Sequence, residues 1–278
     1  MAHANQTQQG TTSNHIMPAV FIGHGSPMNT LEHNRYTEVW AMLGQHVPRP
    51  KAIVMISAHW YTRGTGVTAM QHPQTIHDFG GFPQALFDFR YPARGDAELA
   101  AQVAQLLAPT PVTLDQGWGL DHGTWSVLAH VYPEADVPVI QLSIDASLSP
   151  TQHIELARRL APLREQGVLI MASGNVVHNL GRMNWQAGAP AYPWADAFNE
   201  AINALILARD IEGLANYAVL AGAAESVPTP EHFLPLLYIA ALIRDDDPIQ
   251  ILVDGTTGGS ITMQSVQVGM GIPHPVSV

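Results

Sequence analysis

Histidine is the most prominent reactive side chain of this 278-residue sequence, which has 14 histidines, 12 lysines and arginines together, and no cysteine. Imidazole is the commonest protein ligand for metals, and its titration near neutral pH suits proton transfer. The lack of cysteine excludes disulfides, thiolate nucleophiles and cysteine-ligated zinc or iron–sulfur sites. The composition therefore favours metal binding or acid–base chemistry by histidines.

Three histidines, His24, His59 and His178, each come shortly after a short apolar run in which β-branched residues recur. Such continuous apolarity is typical of strands that are buried on both faces. Ligands of open α/β sheets bind beyond the carboxyl ends of the strands. Taken singly, each histidine is typical of an ordinary loop or core residue. Because all three follow predicted strands, however, we expect them to converge in one crevice.

Two further histidines lie next to an acid and close to a predicted helix. His122 follows Asp121 in a loop that leads into a helix, and His232 follows Glu231 at the start of another helix, with prolines on both sides. These acids are able to orient imidazoles or to bind metal themselves. From the residues alone, a hydrogen bond at the helix entry stays open for His122, and an exposed first-turn position stays open for His232.

Other catalytic motifs receive little support. The sequence has no phosphate-binding P-loop, no dinucleotide-binding glycine motif after its first strand and no nucleophile elbow. Ser26 lies only two residues from His24, and one turn seldom lets such a pair face each other as a nucleophile and its base.

The elements that must position these residues alternate between strands and helices. Apolar runs predict strands at 19–22, 52–56, 137–142, 168–171 and 249–253, and helical periodicity predicts helices at 96–108, 125–131, 153–163 and 194–220, the last broken near Gly213. This alternation predicts a layered α/β fold with a mostly parallel or mixed central sheet flanked by helices. Long loops rich in glycine, proline and aromatic residues are expected at 71–83, 114–123 and 186–193, and the first of these is a candidate pocket wall or lid.

Length and composition predict one domain. With 46% hydrophobic residues, residues 18–278 are expected to form a single catalytic domain behind a disordered polar tail, residues 1–17, which lacks the apolar core of a secretory signal. A net charge of −11 argues against nucleic acid and anionic membranes as partners, and the longest apolar stretch, residues 233–243, is too short to cross a bilayer. A soluble, cytoplasmic protein is expected, and its oligomeric state stays open.

Six ordered motifs together resemble one family, the class III extradiol ring-cleavage dioxygenases, and within it the 4,5-DOPA dioxygenase subgroup. The motifs are Gly23–Pro27, Ser57–Trp60, His77–Pro83, Leu120–Trp125, Gly174–Asn179 and Glu231–Leu236. The resemblance runs from about Pro18 to the C-terminus. It implies a non-haem Fe(II) enzyme that uses O₂ to open a catechol ring beside its two hydroxyls, which yields a ring-opened semialdehyde.

The resemblance also implies roles for five histidines. His24, His59 and His232 would bind the metal, although many extradiol enzymes have a carboxylate in place of one histidine. His178 would be either a fourth ligand or the acid/base residue, and His122 would lie over the substrate in an acid/base or supporting role. A site of neutral histidines also suits Zn²⁺, so zinc is a candidate for the metal in the purified protein.

Two alternative functions stay open. A zinc-dependent hydrolase would use the same histidines, with Glu231 or Asp121 as the base that activates a zinc-bound water. A non-catalytic relative would use the pocket only for binding. The resemblance suggests DOPA or a related catechol as the substrate, and the sequence does not rank Arg90, Arg94 and Arg244 as partners for a substrate carboxylate.

Overall fold

A computed structural model describes residues 16–186 and 188–270. Most of the predicted tail, residues 1–15, lies outside the described residues. Met17, which the sequence assigned to that tail, is 3% exposed, and its backbone N–H donates to the carbonyl of Arg164 at 2.9 Å. The packed part of the chain therefore includes Met17. Within the described part of the chain, no helix is both long enough and apolar enough to span a membrane.

The described residues form strands and helices in alternation. The strands are β1 (Ala19–Gly23), β2 (Ala52–Thr62), β3 (Thr65–Thr68), β4 (Gln74–Thr75), β5 (Val112–Asp115), β6 (Gly119–Leu120), β7 (Val139–Asp145), β8 (Val168–Gly174), β9 (Ile249–Val253), β10 (Thr256–Thr257), β11 (Ile261–Thr262) and β12 (Ser265–Val268). The α-helices are α1 (Arg35–His46), α2 (Gln84–Asp88), α3 (Ala97–Leu106), α4 (His122–Val131), α5 (Pro150–Arg158), α6 (Ala161–Glu165), α7 (Pro193–Leu207), α8 (Ile211–Ala215), α9 (Ala223–Ser226) and α10 (Leu234–Ala240). Short 3₁₀ helices cover Pro27–Leu31, Leu180–Arg182, Tyr217–Val219 and Pro230–His232.

Eight strands form one mixed sheet in the order β5-β3-β7-β2-β8-β1-β12-β9. The four central strands, β7, β2, β8 and β1, are parallel, whereas β12 runs antiparallel to β1 and β9 antiparallel to β12. On the other side β3 pairs antiparallel with β7 and parallel with β5. The predicted single-domain α/β fold with a mixed central sheet is confirmed.

Both faces of the sheet are covered by helices, as the continuous apolarity of its strands predicts. Ala19 and Phe21 of β1 point into the core beneath α3, α5, α7 and α10, and Val20 and Ile22 point into the core beneath α1 and α4. All four side chains are completely buried. Packing on both faces therefore holds the central strands in place, and it also positions the residues at their ends.

Several boundaries differ from the prediction. Strand β2 continues to Thr62 instead of ending at Ile56, because its pairing with β7 resumes at Tyr61 after an irregularity in register. The predicted helix at 153–163 is divided into α5 and α6, and the one at 194–220 ends at Leu207 before the short helix α8. Strands β3, β5 and β12 were not predicted, since they are only four residues long.

Candidate metal centre

His24 lies directly beyond the carboxyl end of β1, as the sequence predicts. Its backbone N–H donates to the carbonyl of Gly174, the last residue of the neighbouring strand β8, at 3.2 Å. The amide of Asn29 donates to the His24 carbonyl at 3.0 Å. The imidazole is 1% exposed. Contacts with β8 and with the 3₁₀ helix at Pro27–Leu31 therefore fix the backbone of His24, from which the buried ring extends.

His59 reaches the same place by a different route. It lies within β2, not beyond its end, which corrects the prediction. The pairing of β2 with β8 stops at Ser57 and Ser173, and β2 then runs on past the end of its neighbour. The His59 ring thus stands over the carboxyl end of β8, with its Nε2 atom 3.0 Å from Nε2 of His24.

His232 arrives from the 3₁₀ helix that precedes α10. Its carbonyl accepts the backbone N–H of Asn175 at 2.8 Å, which brings this helix against the end of β8. A β-carbon on Gly174 would lie 2.2 Å from that carbonyl oxygen, so only glycine permits the approach. The ring of His232 lies 5.1 Å from that of His59 and 5.5 Å from that of His24. His24, His59 and His232 therefore meet, as the resemblance implies.

His178 stacks on His232, with ring centroids 3.5 Å apart and planes 4° apart. Its backbone forms an isolated bridge with Ile261, and its N–H donates to the Ser226 carbonyl at 2.9 Å. The chain thus holds His178 at one side of the three-histidine cluster.

Each of the three clustered histidines has an oxygen partner at Nδ1. The Ser173 hydroxyl lies 2.9 Å from Nδ1 of His24, and Glu231 Oε1 lies 3.1 Å from Nδ1 of His232. Asp78 Oδ2 lies 3.2 Å from Nδ1 of His59. The ionised Asp78 and Glu231 are acceptors only, which favours a proton on Nδ1 and a lone pair on Nε2 of His59 and His232, the arrangement found around protein-bound metals, and the Ser173 hydroxyl is able to accept the same proton from His24.

Burial disfavours protonation of the cluster. Burial, followed by the neighbouring imidazoles, holds the pKa of His24 and that of His59 well below the ordinary value, and burial also lowers the pKa of His232 despite Glu231. Burial and then the neighbouring His232 lower the pKa of His178 to about 3. At neutral pH these imidazoles are therefore uncharged, as metal ligands must be.

The two acids of the site remain ionised. Burial alone would raise the pKa of Glu231, but its hydrogen bonds with His232 and Thr229 lower that pKa to about 2. For Asp78, burial likewise acts to raise the pKa, and the contact with His122 outweighs it, so that this pKa lies below the ordinary value. The neutral imidazoles thus have two negative charges beside them.

His122 is the first residue of α4, and its ring centroid lies 3.9 Å from that of His59. Its Nδ1 is 3.0 Å from Asp78 Oδ1. A β-carbon on Gly123 would lie 2.5 Å from the Ser57 hydroxyl, so the start of α4 packs directly on β2. His122 therefore borders the cluster beside His59, whereas His178 borders it beside His232.

The sequence predicted that Asp121 orients an imidazole or binds metal. In the structure, Asp121 instead makes hydrogen bonds that hold the start of α4. Asp121 caps α4 by accepting the Thr124 backbone N–H, and it also accepts the Ser57 hydroxyl at 2.6 Å and the amide of Gln141. The side chain is completely buried, and burial, together with the charge of Asp78, raises its pKa to about 6. Asp121 thus anchors α4 to β2 from beneath the site.

Asp78 and Ser173 are the site residues that sequence reasoning missed. Asp78 lies within the motif His77–Pro83, and Ser173 lies next to the end of β8. Their sequence settings were visible, but their partners come from distant parts of the chain. Only the three-dimensional structure pairs them with His59 and His24.

Aromatic side chains form a wall beside His122. Phe79 meets the His122 ring edge-on at 5.5 Å and also packs on Phe82 and Trp125. His77, in the same loop, has its Nε2 atom 3.2 Å from the Phe89 carbonyl oxygen. The loop at 71–83 thus contacts the histidine cluster through Phe79, and its role as a wall or lid stays a prediction.

Three overlapping groups of side chains have ligand atoms close enough together to hold one ion. They are His24 with His59 and His232, His59 with Asp78 and His122, and His178 with Glu231 and His232. The first group fits a transition metal best. Its Nδ1 atoms have oxygen partners, and the Nε2 atoms of His24 and His59 lie 3.0 Å apart, so that a cation beside both would be bound by two imidazoles.

Comparisons with known proteins agree with the geometry. A family model described as the catalytic LigB subunit of aromatic ring-opening dioxygenase matches residues 10–264. The chain is 54% identical to a 4,5-DOPA dioxygenase extradiol of Escherichia coli K12, over 91% of this chain and 95% of that protein. It is 35% identical to a 4,5-DOPA dioxygenase extradiol of Beta vulgaris, over 91% and 97%.

A solved structure is also similar. The crystal structure of an uncharacterized protein from Escherichia coli K12 superposes with a TM-score of 0.81 at 49% identity, covering 91% of this chain and 100% of that one. The similarity thus extends over nearly the whole fold, which includes the described histidine cluster.

Proposed function

This chain belongs to the family of the catalytic LigB subunit of aromatic ring-opening dioxygenases, and we propose that its histidine cluster opens a DOPA-like catechol with O₂. The chain is an extradiol dioxygenase by family and by its named relatives. The substrate, the metal and the role of each histidine are the proposal. The observation that carries it is the meeting of three neutral imidazoles, His24, His59 and His232, over the carboxyl ends of β1 and β8.

Fe(II) is the metal that we propose for activity, held by His24, His59 and His232. Support comes from the donor set, because imidazoles with oriented Nδ1 protons suit first-row transition metals. Zn²⁺ suits the same ligands and is a candidate for the purified protein. When bound, Fe(II) would bring catechol and O₂ together and pass electrons between them, which O₂ and an organic ring do poorly alone.

His178 is the proposed base that takes a catechol proton. Its nitrogens do not join the three-histidine group, which favours the base over a fourth ligand. A near-neutral pKa would suit both directions of transfer, but burial lowers this pKa to about 3. The ring is therefore unprotonated at neutral pH, and the negative charge of a bound catecholate would raise its pKa toward the range in which it accepts a proton.

His122 is the proposed second acid/base group, and it borders the cluster beside His59. Its Nδ1 faces Asp78, so its Nε2 is the atom left for the substrate. Phe79 lies edge-on to this ring and offers an aromatic surface to a catechol. In this arrangement the substrate ring would lie between the two acid/base histidines while its hydroxyls face the metal ligands.

For the carboxylate of a DOPA-like substrate, the three arginines differ in position. Arg94 lies at the start of β7, where its carbonyl accepts the backbone N–H of Val139 at 2.7 Å, at the end of the sheet away from the histidines. The Arg244 guanidinium pairs with Glu165 at 2.8 Å, next to the start of β8, at the end of the sheet away from the histidines. Arg90 lies beside His77, with 3.4 Å between Nη1 and Nε2. We therefore propose Arg90 as the residue to test first.

We propose a catechol and O₂ as the partners, no nucleic acid or membrane partner, and a cytoplasmic location, on the grounds of the acidic composition and the absence of cysteine. The zinc hydrolase and the non-catalytic relative remain as outcomes of the test below. The named relatives reported above are dioxygenases, which favours neither of these alternatives.

The test is oxygen uptake by protein reconstituted anaerobically with Fe(II), given DOPA and a panel of small catechols while visible absorbance is followed. We expect uptake that matches the appearance of a yellow ring-opened product. Zn²⁺-loaded protein is the matched control and should consume no O₂, because zinc has no redox chemistry. A filled Fe(II) site with no uptake on any catechol would contradict the proposal.

A further inference from the structure

Asp78 contacts two histidines that come from different elements. Its Oδ2 is 3.2 Å from Nδ1 of His59, and its Oδ1 is 3.0 Å from Nδ1 of His122. Oδ1 also accepts the backbone N–H of His122 at 3.0 Å. The Asp78 side chain is only 16% exposed. One carboxylate thus lies between a proposed metal ligand and a proposed acid/base residue.

We infer that Asp78 is a positioning residue that aligns the metal ligand His59 with His122 through its two oxygens. The inference rests on the proposed roles of these two histidines. An Asp78 oxygen within 3.2 Å of each Nδ1 favours the tautomer that carries its proton on that atom, and this leaves both Nε2 atoms for the metal and the substrate. Loss of Asp78 would therefore affect metal binding through one ring and turnover through the other.

The two rings need a shared partner because they are close and not parallel. Their centroids lie 3.9 Å apart, and their planes are tilted by 49°. Neither ring stacks flat on the other, so ring contact alone does not fix their mutual angle. A carboxylate has two oxygens with fixed separation and is able to accept from both rings at once.

The loop that carries Asp78 is tied to the helix that carries His122. The indole N–H of Trp125, in α4, donates to the Ile76 carbonyl at 2.8 Å. Phe79 packs on both Trp125 and His122. The loop is therefore attached to α4 on both sides of Asp78, at Ile76 and at Phe79, which keeps the carboxylate within reach of the two rings.

The nearby acid Asp121 is not available for this task. Its two oxygens already accept from Ser57, the Thr124 backbone and Gln141, beneath the site. Among the acids of the described residues that touch the cluster, Glu231 serves His232 from the other side. Asp78 is thus the acid placed to serve both His59 and His122.

The experiment compares Asp78→Ala with the wild-type protein for Co²⁺ affinity, measured by visible absorbance, and for kcat with saturating Fe(II). We expect Co²⁺ affinity to fall by about 10–100-fold, as is usual when a partner of a metal ligand is lost. We expect kcat to fall by a similar factor in the wild-type background, but to fall no further when His122 is already alanine. Asp78→Glu, which keeps two oxygens, should recover part of both losses.

Asp88→Ala is the matched control, because Asp88 ends the nearby helix α2 and its carboxylate accepts only from Gln84 among the contacts that the structure describes. It should change neither Co²⁺ affinity nor kcat. Thermal unfolding of all variants shows whether Asp78→Ala remains folded, and Asp78→Asn, which is closest in shape, replaces it if it does not. Asparagine has a single accepting oxygen and cannot serve both rings.

Two results would overturn the inference. One is unchanged Co²⁺ affinity in the Asp78 variants, and the other is an equal fall in kcat with and without His122. If no catechol supports O₂ uptake by the wild-type protein, the proposed function fails separately. The Co²⁺ comparison then still decides the inference, since weaker binding supports the contact with His59 and unchanged binding overturns it.

Discussion

At the start of the parallel strands Arg164 and Asp247 form a buried ion pair, whereas at their carboxyl ends the chain gathers histidines with two acids. Arg164 is 1% exposed, and it donates to both Asp247 oxygens and to the carbonyls of Met17 and Leu242. Asp247 also accepts the Arg244 backbone N–H. Here the guanidinium has a partner for each nitrogen.

At the carboxyl ends of the strands, the imidazoles share one pattern of incomplete hydrogen bonding. The Nδ1 atoms of His24, His59 and His232 each have an oxygen partner, while the Nε2 atoms of His24 and His59 face each other. Buried polar groups normally find partners within the protein, so groups that point at one another indicate a ligand. The comparison teaches that hydrogen-bond completeness separates a structural polar cluster from a functional one.

Replacement of a metal ligand should have the largest effect. We expect His24→Ala to lose bound Fe(II) and to lower turnover by about 10³-fold or more, because the metal supplies several kcal/mol of stabilisation to the reaction. Metal analysis after gel filtration and O₂ uptake measure the two losses. The same metal content in His24→Ala as in the wild type would contradict the claim that the histidine cluster, unlike the Arg164–Asp247 pair, is a ligand site.

Replacement of the proposed base should leave the metal in place. His178→Ala is expected to lower kcat by about 10²–10⁴-fold, the usual contribution of a general acid or base, with Fe(II) content largely unchanged. His46→Ala, at an exposed position at the end of α1, is the control and should behave as wild type. If Fe(II) is lost from His178→Ala, His178 is a ligand and the assignment as a base is wrong.

Replacement of Arg164 should affect stability alone. Arg164→Ala leaves Asp247 as a buried charge without its partner, and we expect the free energy of unfolding to fall by about 3–5 kcal/mol. Urea unfolding measures the loss, and kcat of the folded enzyme should stay unchanged. The double variant Arg164→Met with Asp247→Leu should be more stable than Arg164→Ala, since no lone charge remains buried.

The smallest expected effect is a pH dependence of the stability, and it comes from His153, a buried histidine outside both the ion pair and the histidine cluster. His153 lies 3.0 Å through Nδ1 from the Tyr238 hydroxyl, and burial, only partly offset by Asp145, lowers its pKa to about 4. The unfolded chain takes up this proton near pH 6.5, before the folded protein does. Stability is therefore full above about pH 6.5 and falls toward pH 4, by about 3 kcal/mol in all.

Urea unfolding at several pH values tests this, with His153→Gln as the matched variant. Glutamine has no proton to gain in this range, so the difference between variant and wild type should shrink as the pH falls from 6.5 to 4. A difference that stays constant over this range would show that His153 does not titrate as described.

Much of the fold followed from the sequence, because apolar runs that are buried on both faces report the central strands directly. Strands β1, β8 and β9 begin where they were predicted to begin. The end of β2 was misjudged, since Ser57 and His59 interrupt its apolarity although pairing with β7 continues to Thr62. Apolarity marks burial, and it does not mark how far a strand extends past the core.

The site was predicted less evenly. Three histidines, His24, His59 and His178, were singled out because they follow apolar runs, and His122 and His232 because each lies next to an acid at the entry to a predicted helix. Asp78 was missed because its role depends on contacts with His59 and His122, which lie 19 and 44 positions away in the sequence. Asp121 was given the orienting role, since adjacency to His122 is visible in the sequence whereas a buried bond to Ser57 is not.

The most direct test of the central claim is the position of the metal. Crystals of the protein loaded with Fe(II) under anaerobic conditions would show it by anomalous scattering at the iron edge. We predict one peak bound by Nε2 of His24, His59 and His232. A peak between His59, Asp78 and His122, or between His178, Glu231 and His232, would contradict the account, because each of these groups is also able to hold an ion.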